Sequence, residues 1–361
     1  MYSIKKFDFT KNTTEWDSFI KTNSEGHFFF ETDYLFYHKE RFEGFSLLIY
    51  DKKNELICVL PACLESKSSV DTPTTARLYK KTLHSHKGLT FGGFIFKNNL
   101  SFLDKRKCVF ACLDFLKNNN FDSLIIKPLP SYFQEDSIKD ESIHRILNDD
   151  LIESKILRVE ANSVIILPQS EVDYQKKTHP NYSTRKKRNL KKAYQYNLRI
   201  EKTELSTDFW QIIEENLKLR HNLSPVHSAA EIQLLHDKFP TNILFSLVKN
   251  SKNEAVACSV SFAYQNTIHL QYMATTKKGK EINALDFLIN HLIENHVIHF
   301  DKINQTSPTG NFEYLSLGVS ELRNNTENNK GNETSINEGL FKWKEEFGAK
   351  TLSHFVYQIT I

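Results

Sequence analysis

A strand, a short lysine-rich loop and an amphipathic helix follow one another directly between residues 267 and 297. One pleated face of residues 267–275 is predicted to carry Ile268, Leu270, Tyr272 and Ala274. Beyond residue 280 the apolar residues recur with the helical period, at Ala284, Leu285, Leu288, Ile289, Leu292, Ile293 and Val297. A central strand that leads directly into such a helix predicts a mixed α/β fold.

The loop between this strand and helix contains Lys277, Lys278, Gly279 and Lys280. Backbone N–H groups at a helix N-terminus lack intrahelical partners, and the helix dipole favours negative charge there. The lysines add to that positive field. The loop is therefore a candidate phosphate or cofactor site, with Lys278, Gly279 and Lys280 as its binding residues. The alternative is an ordinary connection whose basic side chains are solvated.

The chain is long enough, at 361 residues, for two domains. A hairpin turn ending in Asn-Glu occurs at residues 54–55 and again at 253–254, and Leu-Asp-Phe-Leu occurs at 113–116 and 285–288. Such short matches arise by chance, so the shared order of elements counts for more. We predict two tandem copies of one mixed-sheet unit, residues 1–165 and 166–361, with a cleft between them.

Periodicity and capping signals predict further elements in both halves. Predicted helices cover residues 12–21, 104–118, 207–221 and 336–347. Predicted strands cover residues 45–50, 56–64, 123–127 and 352–361. The last of these strands falls within the second predicted domain.

Composition and missing motifs exclude several classes of protein. A net formal charge of +3 does not indicate a polyanion partner without a local basic surface. The five cysteines show no CxxC spacing and are predicted to be reduced core residues. No segment approaches the roughly 18 apolar residues of a membrane span, so the cytoplasm is the expected compartment. No metal is expected, because His291, His296 and His299 lack partners at metal-ligand spacing.

Residues 176–192 contain eight lysines and arginines and no acidic residue. From Ser183 onward the segment favours a helix, on which Arg185, Arg188 and Lys192 would share one face. Solvated helices normally intersperse acidic residues among basic ones. The segment therefore indicates a contact with an anion or nucleic acid, and a solvated helix face is the alternative.

The remaining polar groups suit the binding of an anionic reactant while an acyl group moves. Transfer of an acyl group to an amine requires that the amine lose a proton, that the carbonyl oxygen be stabilised and that the leaving group be protonated. Backbone amides of a central strand could stabilise the carbonyl oxygen. Spacing alone does not choose the donor or the acceptor.

Several short motifs, in consistent order over most of the chain, carry a resemblance to a known family. They are residues 85–88 with 92–93, 127–128 with 132, 185–189, 220–228, 271–272 with 279, 317–321, 337–340 and 344–349. The chain resembles the FemAB-like acyltransferases, whose members have two tandem domains of the Gcn5-related N-acetyltransferase (GNAT) fold. The resemblance implies acyl or aminoacyl transfer to an amine, commonly on a cell-wall or surface-glycan precursor.

This resemblance implies roles for individual side chains. Phosphates of the donor or acceptor would be held by Arg185, Arg188 and Lys344. Tyr272 would face the acyl group and protonate the leaving oxygen or sulfur, with His227 or Glu321 as the base. For Lys344 the alternative is a surface salt bridge beside Glu345 and Glu346.

The same resemblance implies an acceptor site between the halves, shaped by His86, Lys127 and Tyr132. The remaining substrate-binding residues that it implies are Arg220, Gln271 and Asn337.

The donor stays open between two chemical classes. Simple acetyltransferases hold the pyrophosphate of CoA with an Arg/Gln-x-x-Gly-x-Gly/Ala loop, whereas residues 277–282 have one glycine in place of two. Fem-type relatives use aminoacyl-tRNA, and a basic helix suits a tRNA backbone or a nucleotide-linked sugar diphosphate. We expect acyl-CoA or aminoacyl-tRNA as donor and an amine-bearing glycan or envelope precursor as acceptor. The alternatives are a Fem-like tRNA-dependent peptidyltransferase and a non-catalytic protein of this fold that binds RNA or an anionic glycan.

Overall fold

The computed structural model describes residues 2–64, 81–85, 87–134, 140–173, 175–176, 179–295, 312–323 and 334–361. His86, one of the predicted acceptor residues, lies outside these ranges. By their internal contacts the residues form two compact units. Unit 1 comprises Met1–Glu160 and Ser353–Ile361, and unit 2 comprises Ala161–Leu352.

The described part of the chain contains both strands and helices in each unit. The described strands are β1 (Ser3–Lys6), β2 (Glu43–Gly44), β3 (Leu47–Tyr50), β4 (Leu56–Leu60), β5 (Cys63–Leu64), β6 (Thr82–His84), β7 (Ile95–Phe96), β8 (Ser123–Ile126), β9 (Ser154–Ile166), β10 (Arg199–Lys202), β11 (Ile243–Lys249), β12 (Ala255–Tyr264), β13 (Thr267–Thr275), β14 (Tyr314–Val319), β15 (Glu321–Arg323), β16 (Thr334–Ile336) and β17 (Lys350–Thr360). The described α-helices are α1 (Thr13–Lys21), α2 (Thr32–Tyr37), α3 (Phe102–Asn118), α4 (Ser142–Leu147), α5 (Glu171–Asp173), α6 (Thr184–Tyr194), α7 (Thr207–His221), α8 (Ala229–Lys238), α9 (Lys277–Glu281), α10 (Ala284–Glu294) and α11 (Glu338–Glu345).

Unit 1 contains two sets of paired strands. β1, β3, β4 and β7 form an antiparallel sheet in that order. In the second set β8 pairs antiparallel with β17 and parallel with β6, and β5 and β2 follow beyond β6. Ser101 caps the N-terminus of the helix α3, with its Oγ accepting a hydrogen bond from the Asp104 backbone N–H at 3.2 Å. Its Cys112 side chain is buried in a core that also contains Leu124 and Ile359.

Unit 2 is built on one mixed sheet. β10, β11, β12 and β13 are antiparallel neighbours, β13 pairs in parallel with β14, and β14 pairs antiparallel with the end of β9. Ala257 lies in the same core as Leu190 of α6 and Leu288 of α10. The adjacent Cys258 contacts α7, with its Sγ 3.6 Å from the carbonyl oxygen of Phe209. Since successive side chains of a strand point to opposite faces, α6 and α10 cover one face and α7 covers the other.

The predicted mixed-sheet α/β fold in two units is confirmed. The predicted helix 207–221 and strand 267–275 have the bounds of α7 and β13. The division differs from the predicted one at its carboxyl end, because Ser353–Ile361 belongs to unit 1. There Ile359 of β17 pairs with Leu124 of β8, and both side chains are fully buried. A strand belongs to the unit whose strands hydrogen-bond to it, and these can be distant in sequence.

The cysteines lie where the sequence predicted. All five are buried and unbridged, and burial raises the pKa of the Cys258 and Cys112 thiols. They are therefore inert core side chains. Separately, none of the described helices is both long enough and apolar enough to cross a bilayer.

Candidate functional site

The two parallel strands of unit 2 separate at their carboxyl ends. β13 and β14 are paired from Thr267 and Tyr314 as far as His269 and Ser316, although β13 continues to Thr275 and β14 to Val319. At the last paired position His269 Nδ1 and Ser316 Oγ lie 3.0 Å apart. Two steps later Gly318 has a φ of +69°, where the register of β14 against β9 shifts. The carboxyl half of β13 is thus paired with β12 on one edge, and its other edge has no strand partner among the described residues.

A β-bulge at Gln271 redirects Tyr272. On β12, Ser261 pairs with Leu270 while the preceding Val260 pairs with Tyr272, so Gln271 is the extra residue. Leu270 and Tyr272 therefore lie on opposite faces of the sheet, and the prediction that they share one face is wrong. Leu270 packs in the core under α10, whereas the Tyr272 ring contacts Trp210 of α7.

Tyr272 forms a hydrogen-bonded pair with His227. Its Oη lies 2.7 Å from His227 Nδ1 and accepts a hydrogen bond from the His227 backbone N–H at 3.3 Å. His227 is buried, and it directly precedes the capping box of α8, in which Ser228 and Glu231 satisfy each other's backbone N–H groups. Burial raises the pKa of Tyr272 above its usual value, so the phenol keeps its proton at neutral pH.

Lys344 is a fully buried cation at the end of β14. Its Nζ donates to the carbonyl oxygens of Gly318 and Val319, each at 2.8 Å. No described carboxylate pairs with it, and burial lowers its pKa to about 7. The alternative of a surface salt bridge with Glu345 or Glu346 is therefore wrong, because the side chain is 0% exposed.

A buried polar network fixes the helix that carries Lys344. Asp286 of α10 accepts hydrogen bonds from Trp343 Nε1 at 2.7 Å, Lys186 Nζ at 2.8 Å and Asn189 Nδ2 at 3.0 Å. Burial lowers the pKa of Lys186, and the charge of Asp286 counteracts that shift. Because the three donors come from α6 and α11, one carboxylate ties three helices together.

The basic helix α6 divides its cations between the interior and the surface. Lys186 is buried beside Asp286, and the exposed Arg185 has its Nη1 3.3 Å from Glu346 Oε1. Residues 176–192 contain no acidic side chain, and the carboxylates that pair with Lys186 and Arg185 come from other parts of unit 2. Arg188 and Lys191 are exposed, with no carboxylate partner among the described side chains. They are the members of the segment best placed to contact an anionic ligand.

The lysine loop is folded as the short helix α9. Thr276 caps it, with its Oγ1 accepting from the Gly279 N–H at 3.0 Å, and Lys278 forms an ion pair with Glu254. A Cβ at position 279 would lie 2.0 Å from the Val256 carbonyl oxygen. Glycine is therefore required here by packing against β12. The anion-binding role of Lys278, Gly279 and Lys280 stays a prediction, and of these side chains only that of Lys280 is both exposed and without an ion pair among the described groups.

Other predicted residues occupy defined backbone positions in unit 2. Asn337 caps α11, with its Oδ1 accepting from the Leu340 N–H at 3.1 Å. Arg220 lies in the last turn of α7, and Glu321 begins β15. The side chains of these last two residues lie outside the described part of the chain.

The predicted acceptor residues Lys127 and Tyr132 belong to unit 1. Glu160 forms two ion pairs: its Oε2 lies 2.7 Å from Lys127 Nζ, and its Oε1 lies 2.8 Å from Arg158 Nε. Burial opposes the ionisation of Glu160, but the two cations outweigh it and hold its pKa at about 2. Tyr132 is 5% exposed. Lys127 is thus already engaged by a buried carboxylate, and its role toward an acceptor stays a prediction.

Two residues that the sequence analysis missed are central to this geometry. Asp286 is an acidic residue within the apolar stripe of α10, and that position could have indicated a buried partner for a cation. Trp210 packs on Tyr272 with ring centroids 5.5 Å apart. Nothing in the local sequence indicates that contact, because it depends on how α7 crosses the sheet.

Known structures share this architecture, although no protein-family profile matches the sequence and no curated protein matches it significantly. The alignment with the crystal structure of FemX covers 99% of this chain and 97% of FemX, with a TM-score of 0.66 and 9% identity. The alignment with the C-terminal domain of a putative lysylphosphatidylglycerol synthetase from Agrobacterium fabrum covers 96% of this chain and 91% of that domain, with a TM-score of 0.52 and 9% identity. The alignment with a tandem GNAT protein from the clavulanic acid biosynthesis pathway covers 100% of this chain and 98% of that protein, with a TM-score of 0.48 and 7% identity.

The chain therefore has the fold of FemX, and the shared fold extends over almost the whole length of both proteins. The predicted resemblance is confirmed at the level of the fold. At 9% identity the similarity identifies an architecture and leaves the reaction to the side chains of this chain.

Proposed function

We propose that the protein is an acyltransferase that moves an acyl or aminoacyl group to an amine, at the separated ends of β13 and β14. The Tyr272–His227 pair carries this proposal, because two titratable groups 2.7 Å apart can pass a proton between them. Tyr272 lies on a bulged strand whose carboxyl half is not paired with β14. A strand edge of this kind offers backbone groups to a bound acyl donor.

In the proposed reaction the nitrogen of the neutral acceptor amine attacks the carbonyl carbon of the donor. A C–N bond forms, and the bond from that carbon to the donor's oxygen or sulfur breaks. Tyr272 gives its hydroxyl proton to the leaving atom, and the proton lost by the amine restores the pair through His227. The raised pKa of Tyr272 supports this assignment, since a protonated phenol is the form that can donate.

Lys344 supplies positive charge to the same strand ends in this proposal. Two of its ammonium hydrogens are used by the Gly318 and Val319 carbonyls, which leaves a third to donate. In a dry environment such a donor stabilises negative charge that develops on a reacting oxygen. The buried position supports this role better than direct contact with the phosphates of a solvated ligand.

We further propose that the donor carries phosphates that Arg185 and Arg188 contact. Arg188 and Lys191 are exposed and have no ion pair among the described groups, so they are better suited to bind a long polyanion than a compact pyrophosphate. The α9 geometry also lacks the two-glycine loop that holds CoA. Aminoacyl-tRNA is therefore the favoured donor, acyl-CoA the second, and the acceptor is an amine on a glycan or cell-envelope precursor.

A donor screen tests the proposal. Purified protein is incubated with acyl-CoA or charged tRNA and an amino-sugar or peptide amine, and the acceptor is examined by mass spectrometry. The expected result is acylated amine with one donor. Arg188→Ala should have a several-fold higher donor KM at low salt, and this difference from the unaltered protein should shrink as salt rises. Lys53→Ala, in a hairpin turn of unit 1, is the matched control. RNA binding without transfer from any donor would instead assign the chain to the non-catalytic class.

A further inference from the structure

Two side-chain contacts join α6 to α9 and to a hairpin turn of unit 2. Lys192, in the last turn of α6, donates from its Nζ to the carbonyl oxygen of Glu281 at the end of α9, at 3.3 Å. Lys278 of α9 forms an ion pair with Glu254, which lies in the turn between β11 and β12. The exposed sides of these three elements therefore form one surface. We name it the basic surface, and it comprises residues 188–192, 250–254 and 277–281 with Arg199.

The basic surface carries a large excess of positive charge. Arg199 belongs to it because its Nη2 lies 3.3 Å from Asn253 Oδ1 in the hairpin turn. Glu281 is its one exposed carboxylate without an ion pair among the described groups. Its seven exposed cations without such an ion pair are Arg188, Lys191, Lys192, Arg199, Lys252, Lys277 and Lys280. Cations gathered from separate elements in this way are typical of a surface that contacts a polyanion.

The geometry of α9 favours a long polyanion over the pyrophosphate of a small cofactor. The Gly279 N–H donates to Thr276 Oγ1 at 3.0 Å, and the Lys280 N–H donates to the Thr276 carbonyl oxygen at 2.9 Å. Both backbone groups are thus used within the helix, and α9 offers a ligand mainly its lysine side chains. The seven cations also outnumber the phosphate groups of CoA. A polymer with many phosphates matches their number and their spread over several elements.

The composition of the basic surface distinguishes among polymeric partners. No aliphatic, Phe or Trp side chain is exposed in residues 188–192, 250–254 or 277–281. Protein interfaces have an apolar core, and membrane-surface binding requires apolar side chains that enter the lipid. Binding to a nucleic-acid backbone depends on lysine and arginine instead. The basic surface has the composition of the last class.

The basic surface also lies close to the proposed reaction site. Tyr272 precedes Thr275, the last residue of β13, by three residues, which is about 10 Å along a strand. Lys277 begins α9 two residues later. A polymer held on the basic surface can therefore extend one end to the Tyr272–His227 pair.

We propose that the basic surface binds the phosphate backbone of a folded RNA, with Lys252, Lys277 and Lys280 as contacts in addition to Arg188. The proposal rests on the proposed function in one respect, because a phosphate-bearing donor selects RNA over an anionic glycan. It assigns the lysines of α9 to the body of the donor, outside the reaction site.

Binding of uncharged tRNA tests the proposal, measured by fluorescence anisotropy between about 50 and 300 mM KCl. The affinity of the unaltered protein should fall steeply as salt rises. Lys277→Ala/Lys280→Ala should bind about tenfold more weakly at the lowest salt. The slope of log Kd against log salt concentration should decrease by about 2 in this variant, because each lysine that contacts a phosphate contributes about 1.

Lys52→Ala/Lys53→Ala is the matched control, because it removes the same charge from exposed positions of a hairpin turn in unit 1. It should bind tRNA with the affinity and salt slope of the unaltered protein. An unchanged slope in the α9 variant would overturn the proposal.

Two competitors identify the other possible ligands. Displacement of tRNA by excess CoA would assign the α9 lysines to a cofactor site, and equal affinity for polygalacturonate would assign the basic surface to anionic glycans. Either result would overturn the proposal. The assay contains no aminoacyl group and no acceptor, so intact tRNA binding without acyl transfer would count against the proposed function alone.

Discussion

A single inserted residue decides which side chain of β13 can do chemistry. Without the bulge at Gln271, Tyr272 would point into the core beside Leu270. With it, the phenol meets His227 and Trp210 on the other face. The residue types were visible in the sequence, but Gln271 carries no glycine or proline signal that would predict a bulge.

Tyr272→Phe tests the proton donor. The ring keeps its packing on Trp210, so the fold should persist, while kcat should fall about 10²–10⁴-fold with little change in KM because only the hydroxyl is lost. Steady-state kinetics with the donor found in the screen measures both constants. Tyr196→Phe, at an exposed position, is the control. A kcat within threefold of the unaltered enzyme would remove Tyr272 from the mechanism.

Lys344→Met tests the buried ammonium through stability. The folded pKa of about 7 lies below the unfolded value of 10.5, so between these values the unfolded state binds more protons. The free energy of unfolding of the unaltered protein should therefore rise with pH relative to the variant, by at most about 1.4 kcal/mol per pH unit.

Urea unfolding at pH 7, 8 and 9 measures this difference for Lys344→Met. Lys342→Met, at an exposed position of the same helix, should follow the unaltered protein across the series. Parallel curves for the unaltered protein and Lys344→Met would show that Lys344 does not titrate in this range.

At the scale of elements, three helices are joined by side chains that lie far apart in sequence. Lys186, Asp286 and Trp343 come from α6, α10 and α11. The segment 176–192 contains no acidic residue, which indicated a basic surface, yet the structure pairs two of its cations with Asp286 and Glu346. Local charge composition predicts exposed charge poorly when another element supplies the counter-ion.

Asp286→Asn tests this network. Asparagine keeps the shape and one acceptor oxygen but leaves the Lys186 ammonium buried with a weaker partner, so unit 2 should lose about 3 kcal/mol of stability. Urea unfolding followed by tryptophan fluorescence measures the loss. Lys186→Met combined with Asp286→Asn should cost clearly less than the sum of the single changes. Additive costs would show that the two side chains do not stabilise each other.

At the scale of the whole molecule, unit 1 is discontinuous in sequence. Its first segment ends at Glu160, and its last nine residues come from the carboxyl terminus. Tyr357 and Ile359 of β17 are buried in its core, and the Tyr357 hydroxyl lies 2.9 Å from His144 Nδ1. The folding of unit 1 therefore depends on residues that follow the whole of unit 2 in the sequence.

Deletion of residues 353–361 should destabilise unit 1 while leaving unit 2 folded. Hydrogen exchange should show lost protection in β8, which loses its antiparallel partner, and retained protection in β12. Tyr357→Phe, which removes one hydroxyl, is the mild control and should keep protection in β8. Full protection of β8 in the truncated chain would contradict the assignment of β17 to unit 1.

The elements with strong local signals were predictable. The 3.6-residue period gave α10, and serine N-caps precede α3, α6 and α7. Residues 277–281 were predicted to be a loop but form the helix α9, which is separated from α10 at Asn283, where φ is 57°. The site was predicted in part: Tyr272 and His227 were named as candidates, but their hydrogen bond depends on the bulge and on the approach of α8 to the sheet.

The sequence by itself determined the mixed α/β class and which residues carry protons and charge, because periodicity and residue chemistry are local properties. The tertiary structure decided which of these groups meet. The bulge brought Tyr272 to His227, and Asp286 paired with Lys186 of a helix that contains no acidic residue. Burial rather than residue type set the lowered pKa of Lys344. Each of these outcomes depends on hydrogen bonding or desolvation between residues distant in sequence, which no local pattern records.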